Sequence, residues 1–186
     1  NSELFINTNL KEHSIVQKKL DNRFKYIVIF PGGNWQPKIW PSEYYNQLIK
    51  ILIIRFPNLK FILVGSLKER KVYSETIKKD LNVNYFIDLM GESLTLTSAY
   101  MKKSNLFIGN DSGLMHLSVA SKLATISLFG PTNDKIYGHR KSNSFIIRTQ
   151  ENYDKFKKMN IDSSKSYMLS ISPEKVLDLI LSKKLL

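Results

Sequence analysis

One stretch constrains this chain more than any other: Leu106 to Pro131, which reads LFIGNDSGLMHLSVASKLATISLFGP. The short apolar run Leu106-Phe107-Ile108 predicts a buried strand. A turn of small and polar residues follows, Gly109-Asn110-Asp111-Ser112-Gly113. A helical pattern at Leu114, Leu117, Val119 and Ala120 comes next. A second apolar run, Ala124 to Phe129, is closed by Gly130-Pro131. Strand, Gly-rich turn, helix and strand in that order make a βαβ unit. Both strands are apolar throughout instead of alternating, as parallel strands covered on both faces are. The turn falls where a helix begins. Free N–H groups and the positive end of the helix dipole point outward there, so a phosphorylated ligand is expected to dock on it.

The other apolar runs repeat the pattern. Tyr26 to Phe30, Lys60 to Val64, Tyr85 to Leu89 and Phe145 to Arg148 read as strands. Between them lie helical segments. One starts at Pro41-Ser42, with Ser42 expected as N-cap, and has an apolar face of Tyr45, Leu48, Ile49 and Leu52. Glu69 to Leu81 reads as an exposed helix, and Leu94 to Lys103 as a helix entered through Gly91-Glu92-Ser93. Glu174 to Ser182 reads as a closing helix, with Pro173 in its first turn. Thr132 to Asn143 and residues 150–167 read as long polar loops. Residues 1–24 read as a linker or packed extension with a weakly amphipathic stretch from Leu10 to Leu20, and 25–186 as one domain. Alternating strands and helices predict an open parallel α/β sheet with helices on both faces. Ligands in such sheets bind beyond the carboxyl ends of the strands. The turns 31–38, 65–69, 91–93, 109–113 and 130–132 all fall at such ends.

Composition excludes several functions. The 186 residues contain no cysteine, so there is no disulfide frame and no thiolate chemistry. The three histidines, His13, His116 and His139, lack metal-ligand spacing, and no metal or other cofactor is expected. No apolar run is long enough to span a bilayer, and the N-terminus lacks the order of a signal peptide. The net charge of +12 fits either a Lys-, Asn- and Ile-rich composition or attraction to an anionic membrane face, a nucleotide or a nucleic acid. No nucleic-acid motif is present, so nucleic acid is discounted.

The candidate site residues follow from the turns. Gly32, Gly33 and Asn34 offer unobstructed backbone N–H groups, with Lys38 as a cation close by, a combination suited to a diphosphate. The plain alternative is a β-to-α turn with a surface lysine. Trp35 and Trp40 could be ring platforms, Trp40 more naturally a packing anchor. Asp111 could cap the helix, bind sugar hydroxyls or hold a metal, and Ser112 could cap equally well. His116 lies three residues past Gly113 and could reach a phosphate or a sugar hydroxyl, or simply pack. Gly65, Ser66 and Glu69 could face a base or ribose, Glu69 otherwise being a solvated helix charge. A nicotinamide-dependent oxidoreductase would want G-x-G-x-x-G after the first strand, which Pro31-Gly32-Gly33-Asn34-Trp35-Gln36 lacks.

PGGNWQPKIWP at 31–41, LVGS at 63–66, GESL at 91–94, IGNDSGLMHLSVA at 108–120 and LFGPT at 128–132 together resemble the ADP-heptose:lipopolysaccharide heptosyltransferase family. The resemblance implies the C-terminal, Rossmann-like donor half of a two-domain GT-B glycosyltransferase. In that reading Asn34 and Lys38 meet the donor phosphates and Lys38 steadies the leaving diphosphate. Ser112 and Gly113 present N–H groups to the same phosphates, Asp111 touches the transferred sugar, and His116 supports the site. Gly32, Gly33, Ser66, Glu69 and Glu92 complete the donor contacts. Leu67 stands where some members have an acidic ribose contact. The implied partners are a nucleotide-sugar donor, ADP-heptose above others, and a glycolipid acceptor held by an N-terminal half absent here. The implied location is cytoplasmic, peripheral on the inner face of the inner membrane. Because the acceptor half is absent, this chain alone is expected to be inactive. The alternative is a non-catalytic nucleotide-binding module serving a partner chain.

Overall fold

The apolar runs do pair as parallel strands. The computed structural model describes residues 8–140 and 142–186. Its strands are β1 (Lys25–Phe30), β2 (Leu59–Leu63), β3 (Phe86–Asp88), β4 (Leu106–Asn110), β5 (Thr125–Phe129) and β6 (Ser144–Arg148). They form one sheet in the order β3-β2-β1-β4-β5-β6, with every pairing parallel. This is the doubly wound order, whose direction of winding reverses between the first and fourth strands. Ile29 of β1 stands beside Ile108 of β4, and Phe30 beside Gly109. The turns after β1 and β4 therefore emerge side by side at the switch point.

Helices cover both faces: α1 (Leu10–Lys19), α2 (Ser42–Arg55), α3 (Leu67–Lys78), α4 (Leu94–Met101), α5 (Gly113–Ala120), α6 (Asp134–Tyr137), α7 (Tyr153–Phe156) and α8 (Pro173–Ser182). Side chains alternate across a strand, so β1 feeds two cores. Ile27 and Ile29 pack with Tyr45, Leu48, Ile49 and Leu52 of α2, Ile77 of α3, and Val176 and Ile180 of α8. Tyr26, Val28 and Phe30 pack with Val16 of α1, Ala99 to Met101 of α4, and Met115 of α5.

The boundaries differ from the sequence reading in instructive ways. In the stretch before β1, α1 has a capping box between Asn9 and Glu12, and Val16 is buried against the sheet. Its first seven positions lie outside the described residues. Ser42 does not cap α2; Pro41 takes the N-cap position, with no side-chain cap. α3 begins two residues earlier than periodicity predicts. Ser66 accepts the Glu69 N–H while the Glu69 side chain accepts the Ser66 N–H, and this reciprocal pair sets the start. The two polar loops each carry one helical turn, α6 and α7.

Asp88 at the end of the edge strand β3 bonds Arg70 and Lys78 of α3 at 3.0 Å each. Burial raises its carboxyl, but the Met90 N–H, Lys78 and Arg70 more than offset this and hold it below its ordinary 3.8. A depressed carboxyl contributes stability that is present above its unfolded value and lost as pH falls through its folded value. The stability gap between the native protein and Asp88→Asn is therefore expected to be full at pH 7 and to close below about pH 4. Urea titrations at a series of pH values measure it, and a gap that widens toward acid would contradict the assignment.

Candidate functional site

The β4 turn is built by a residue that the sequence reading passed over. Asn110, predicted as part of a loop, is the last residue of β4 and is fully buried. Its Oδ1 accepts the Trp40 N–H at 3.0 Å and the Tyr45 hydroxyl at 3.4 Å. Its Nδ2 donates to the carbonyls of Pro31 at 3.1 Å and Gly32 at 2.9 Å. One amide thus ties the exit of β1 to the exit of β4 and leaves no polar atom of its own unpaired. Trp40 is the packing anchor expected: fully buried, its indole N–H donates to the Ile171 carbonyl at 2.7 Å, and its ring meets Tyr45 edge-on at 4.6 Å. Burial also pushes the Tyr45 phenol well above its ordinary value, so it remains a neutral donor.

Beyond Asn110 the chain turns into α5. Ser112, not Asp111, is the N-cap; its Oγ accepts the Met115 N–H at 3.2 Å. The N–H groups of Gly113 and Leu114 have no acceptor among the described residues. A β-carbon placed on Gly113 would meet nothing within 4 Å, so packing does not require a glycine there. Leu114 and Leu117, partly buried against the core, line a cavity together with Ala120, while Met115, Ser118 and Val119 are buried.

Two cavities meet on this helix end. The larger, about 930 Å³, lies among the turns after β2 and β3 and the start of α5. Its walls include Leu67, Leu94, Leu114 and Leu117, with Glu92, Lys68 and His116 among them. The smaller, about 640 Å³, lies between the β1 turn and α3, and is lined by Gly33, Asn34, Trp35, Lys38 and Tyr73. Phe30, Ser66, Lys68, Glu69, Ser112 and Gly113 face both. Burial, with the Glu69 charge adding to it, raises the Tyr73 phenol above its ordinary value. Lys38 has no hydrogen-bond or ion-pair partner among the described residues, so its cation is uncommitted.

Most of the predicted site residues come together here, but three stand differently. Gly32 lines neither cavity; it is packed against the Glu69 side chain, and a β-carbon there would overlap that carboxylate. Glu69 is not a solvated helix charge. Its Oε1 accepts the Gly33 N–H at 2.9 Å and its Oε2 accepts the Ser66 N–H at 2.7 Å, so the Gly33 donor is taken by a carboxylate. Asp111 is buried yet lines neither cavity, and its carboxylate has no partner among the described residues. No group of three or more His, Asp or Glu side chains among the described residues is arranged to hold a metal. The fifth turn, 130–132, is structural. Arg148 donates to the Gly130 carbonyl at 2.6 Å and the Thr132 carbonyl at 2.9 Å, and pairs with the buried Asp134 at 2.8 Å.

Gly113→Ala separates fold from ligand at this helix end. Alanine fits the open position and removes unfolded-chain entropy, so stability is expected to hold or rise by about 0.4–1 kcal/mol. A ligand seated on the free N–H groups would meet the new methyl, and phosphate-ligand affinity is expected to fall. Thermal melts and calorimetric titration check both, and unchanged affinity would move the ligand away from α5.

The strand order and the cleft at its switch point define a Rossmann-like α/β domain, the kind that forms one half of a GT-B glycosyltransferase. The chain belongs to glycosyltransferase family 9 (heptosyltransferase), whose model matches residues 3–166. It is 29% identical over 177 residues to lipopolysaccharide heptosyltransferase 1 of Campylobacter coli, covering 94% of this chain and 51% of that one. The structure of the E. coli ADP-heptose lipopolysaccharide heptosyltransferase II superposes with a TM-score of 0.76 at 24% identity, over 96% of this chain and 53% of that one. An E. coli heptosyltransferase solved with ADP gives 0.71 at 17% identity, over 92% and 48%. The chain spans about half the length of the relatives it matches.

Proposed function

We propose that this chain is the donor-binding half of a transferase that moves a sugar, heptose in the best reading, from a nucleotide-diphospho-sugar to a lipopolysaccharide core or other surface glycan. The observation that carries the proposal is the pair of cavities joined at Ser112 and Gly113. The larger has the leucine-rich walls that a nucleobase and ribose need, with Glu92 and Ser66 at hand for polar contacts. The smaller is lined by Asn34 and Lys38 as well as by Ser112 and Gly113 at the start of α5. A diphosphate lying across the join would meet the helix dipole on one side and the lysine on the other. As the glycosidic bond breaks, negative charge grows on the leaving diphosphate, and both groups stabilise it there without having to reorganise. Asp111, next to Ser112 and without a partner among the described residues, is assigned to the hydroxyls of the transferred sugar. The relatives named for ADP-heptose and solved with ADP support an adenine nucleotide.

In this reading the acceptor and its catalytic carboxylate belong to a second half, and the isolated chain binds donor without transferring sugar. No helix among the described residues is long and apolar enough to cross a membrane. The charge of +12 supports peripheral contact with an anionic inner leaflet.

Calorimetric titration with ADP, UDP, GDP and an ADP-sugar tests the proposal. ADP and the ADP-sugar are expected to bind, and binding of no nucleoside diphosphate at millimolar concentration would overturn the reading. Asp111→Asn is expected to weaken the ADP-sugar selectively, while ADP affinity holds or tightens because a negative charge near the phosphates has gone. Equal changes for the two ligands would remove Asp111 from the sugar.

A further inference from the structure

His116 and His139 are joined by a ring-to-ring hydrogen bond. His116 Nδ1 lies 2.7 Å from His139 Nε2, and the rings stand edge-on at 82° with centroids 4.9 Å apart. His116 is in the first turns of α5 and lines the larger cavity; His139 comes from the loop after α6, 23 residues later. Because Nδ1 is engaged, only Nε2 of His116 is left for a ligand. Two neutral arrangements exist. If His116 donates the shared proton, its Nε2 is a bare acceptor. If His139 donates it, His116 Nε2 carries a hydrogen that a ligand can accept.

We propose that His139 is a positioning residue that turns His116 into a donor for the diphosphate, and that the pair takes up one proton when the diphosphate binds. The proposal rests on the donor-binding reading above. An anion beside His116 Nε2 favours the arrangement in which that nitrogen carries hydrogen. It also favours an imidazolium on His116 whose Nδ1–H donates to His139 Nε2. The proton comes from solvent, no bond to the ligand is made or broken, and the bound site gains one positive charge.

The surrounding charges set the direction. Lys68 and Glu69 of α3 and Glu92 of the β3–α4 turn share the cavity with His116. Glu69 already accepts the Gly33 and Ser66 N–H groups. Lys38 faces the adjoining cavity from the β1 turn, and Asp111 precedes α5. Next to His139, Arg140 is paired with Asp134, which also holds Arg148. Lys38, Lys68 and the positive end of α5 oppose protonation of the empty pair, and a diphosphate reverses that balance. The bound pair therefore titrates higher than the free pair. The extra affinity is present toward acid and is lost as pH rises through the bound value.

The test is calorimetric titration of the whole chain with ADP in two buffers of different ionisation heat. Measurements run from pH 7.5 to 8.5, above the second phosphate pKa of about 6, so the ligand itself is fully ionised. Wild type is expected to take up a measurable fraction of a proton per ADP. Affinity should fall with pH by up to about tenfold per unit, the slope of one coupled proton. His139→Gln keeps a hydrogen-bonding partner for His116 but no second base, so it should bind ADP with less uptake and a flatter pH profile. His116→Ala should abolish uptake. ADP binding with no proton uptake, or a His139→Gln profile identical to wild type, overturns the proposal while leaving the donor-binding reading intact. Failure of wild type to bind ADP at all removes that reading and this proposal with it.

Discussion

Replacing Asn110 with leucine, a side chain of similar size, is expected to cost the domain about 3–5 kcal/mol of stability. The Trp40 N–H and the Pro31 and Gly32 carbonyls lose their partner, and a buried backbone group left unpaired costs about 1–3 kcal/mol. For a domain of this size each kcal/mol moves the melting temperature by about 2–4 °C, so a fall of at least about 6 °C should be seen. Asn110→Asp refines the result. Aspartate can still accept the Trp40 N–H but cannot donate to the two carbonyls, and it brings a buried charge. It should lose stability as well, and on refolding at low denaturant its β1 turn should be released from the β4 turn. Melting of both variants within about 1 kcal/mol of wild type would mean that other groups hold the two turns together.

Replacing Lys38 with alanine is expected to act on the ligand and not on the fold. The side chain is half-buried, lines the smaller cavity and holds no carboxylate among the described residues, so its removal unpairs none of them. A charge-assisted hydrogen bond to a phosphate contributes about 1.5–3 kcal/mol, which is about a 10- to 150-fold loss of diphosphate affinity. Arginine should restore part of it, since the charge returns on a longer and differently shaped donor. Calorimetry with ADP at fixed ionic strength measures the loss, and thermal melts should coincide. Equal affinity in wild type and Lys38→Ala would place the lysine on the plain surface, and a large drop in melting temperature would give it a structural role instead.

These two residues mark the line between local and long-range information. The place of Lys38 on the cleft wall was legible because a glycine pair, a lysine and a helix start follow an apolar strand within a dozen residues. Asn110 was not, because its partners lie 65 to 79 residues away along the chain and its own neighbourhood reads as an ordinary turn.

The sequence by itself determined the parallel sheet, since apolar runs without alternation are stable only when covered on both faces. It also determined the helices between the strands and the end of the sheet where the cleft would lie. These depend on periodicity and on turn chemistry over a few residues. Only the tertiary structure decided how the polar groups were shared. It gave the cap of α5 to Ser112 and left Asp111 without a partner among the described residues. It took the Gly33 N–H for Glu69, set His139 against His116, and turned Leu114 and Leu117 toward a cavity. The physical reason is that a buried donor or acceptor must be satisfied by whatever the strand order brings near it. Strand order follows from how the whole sheet packs, which no local pattern encodes.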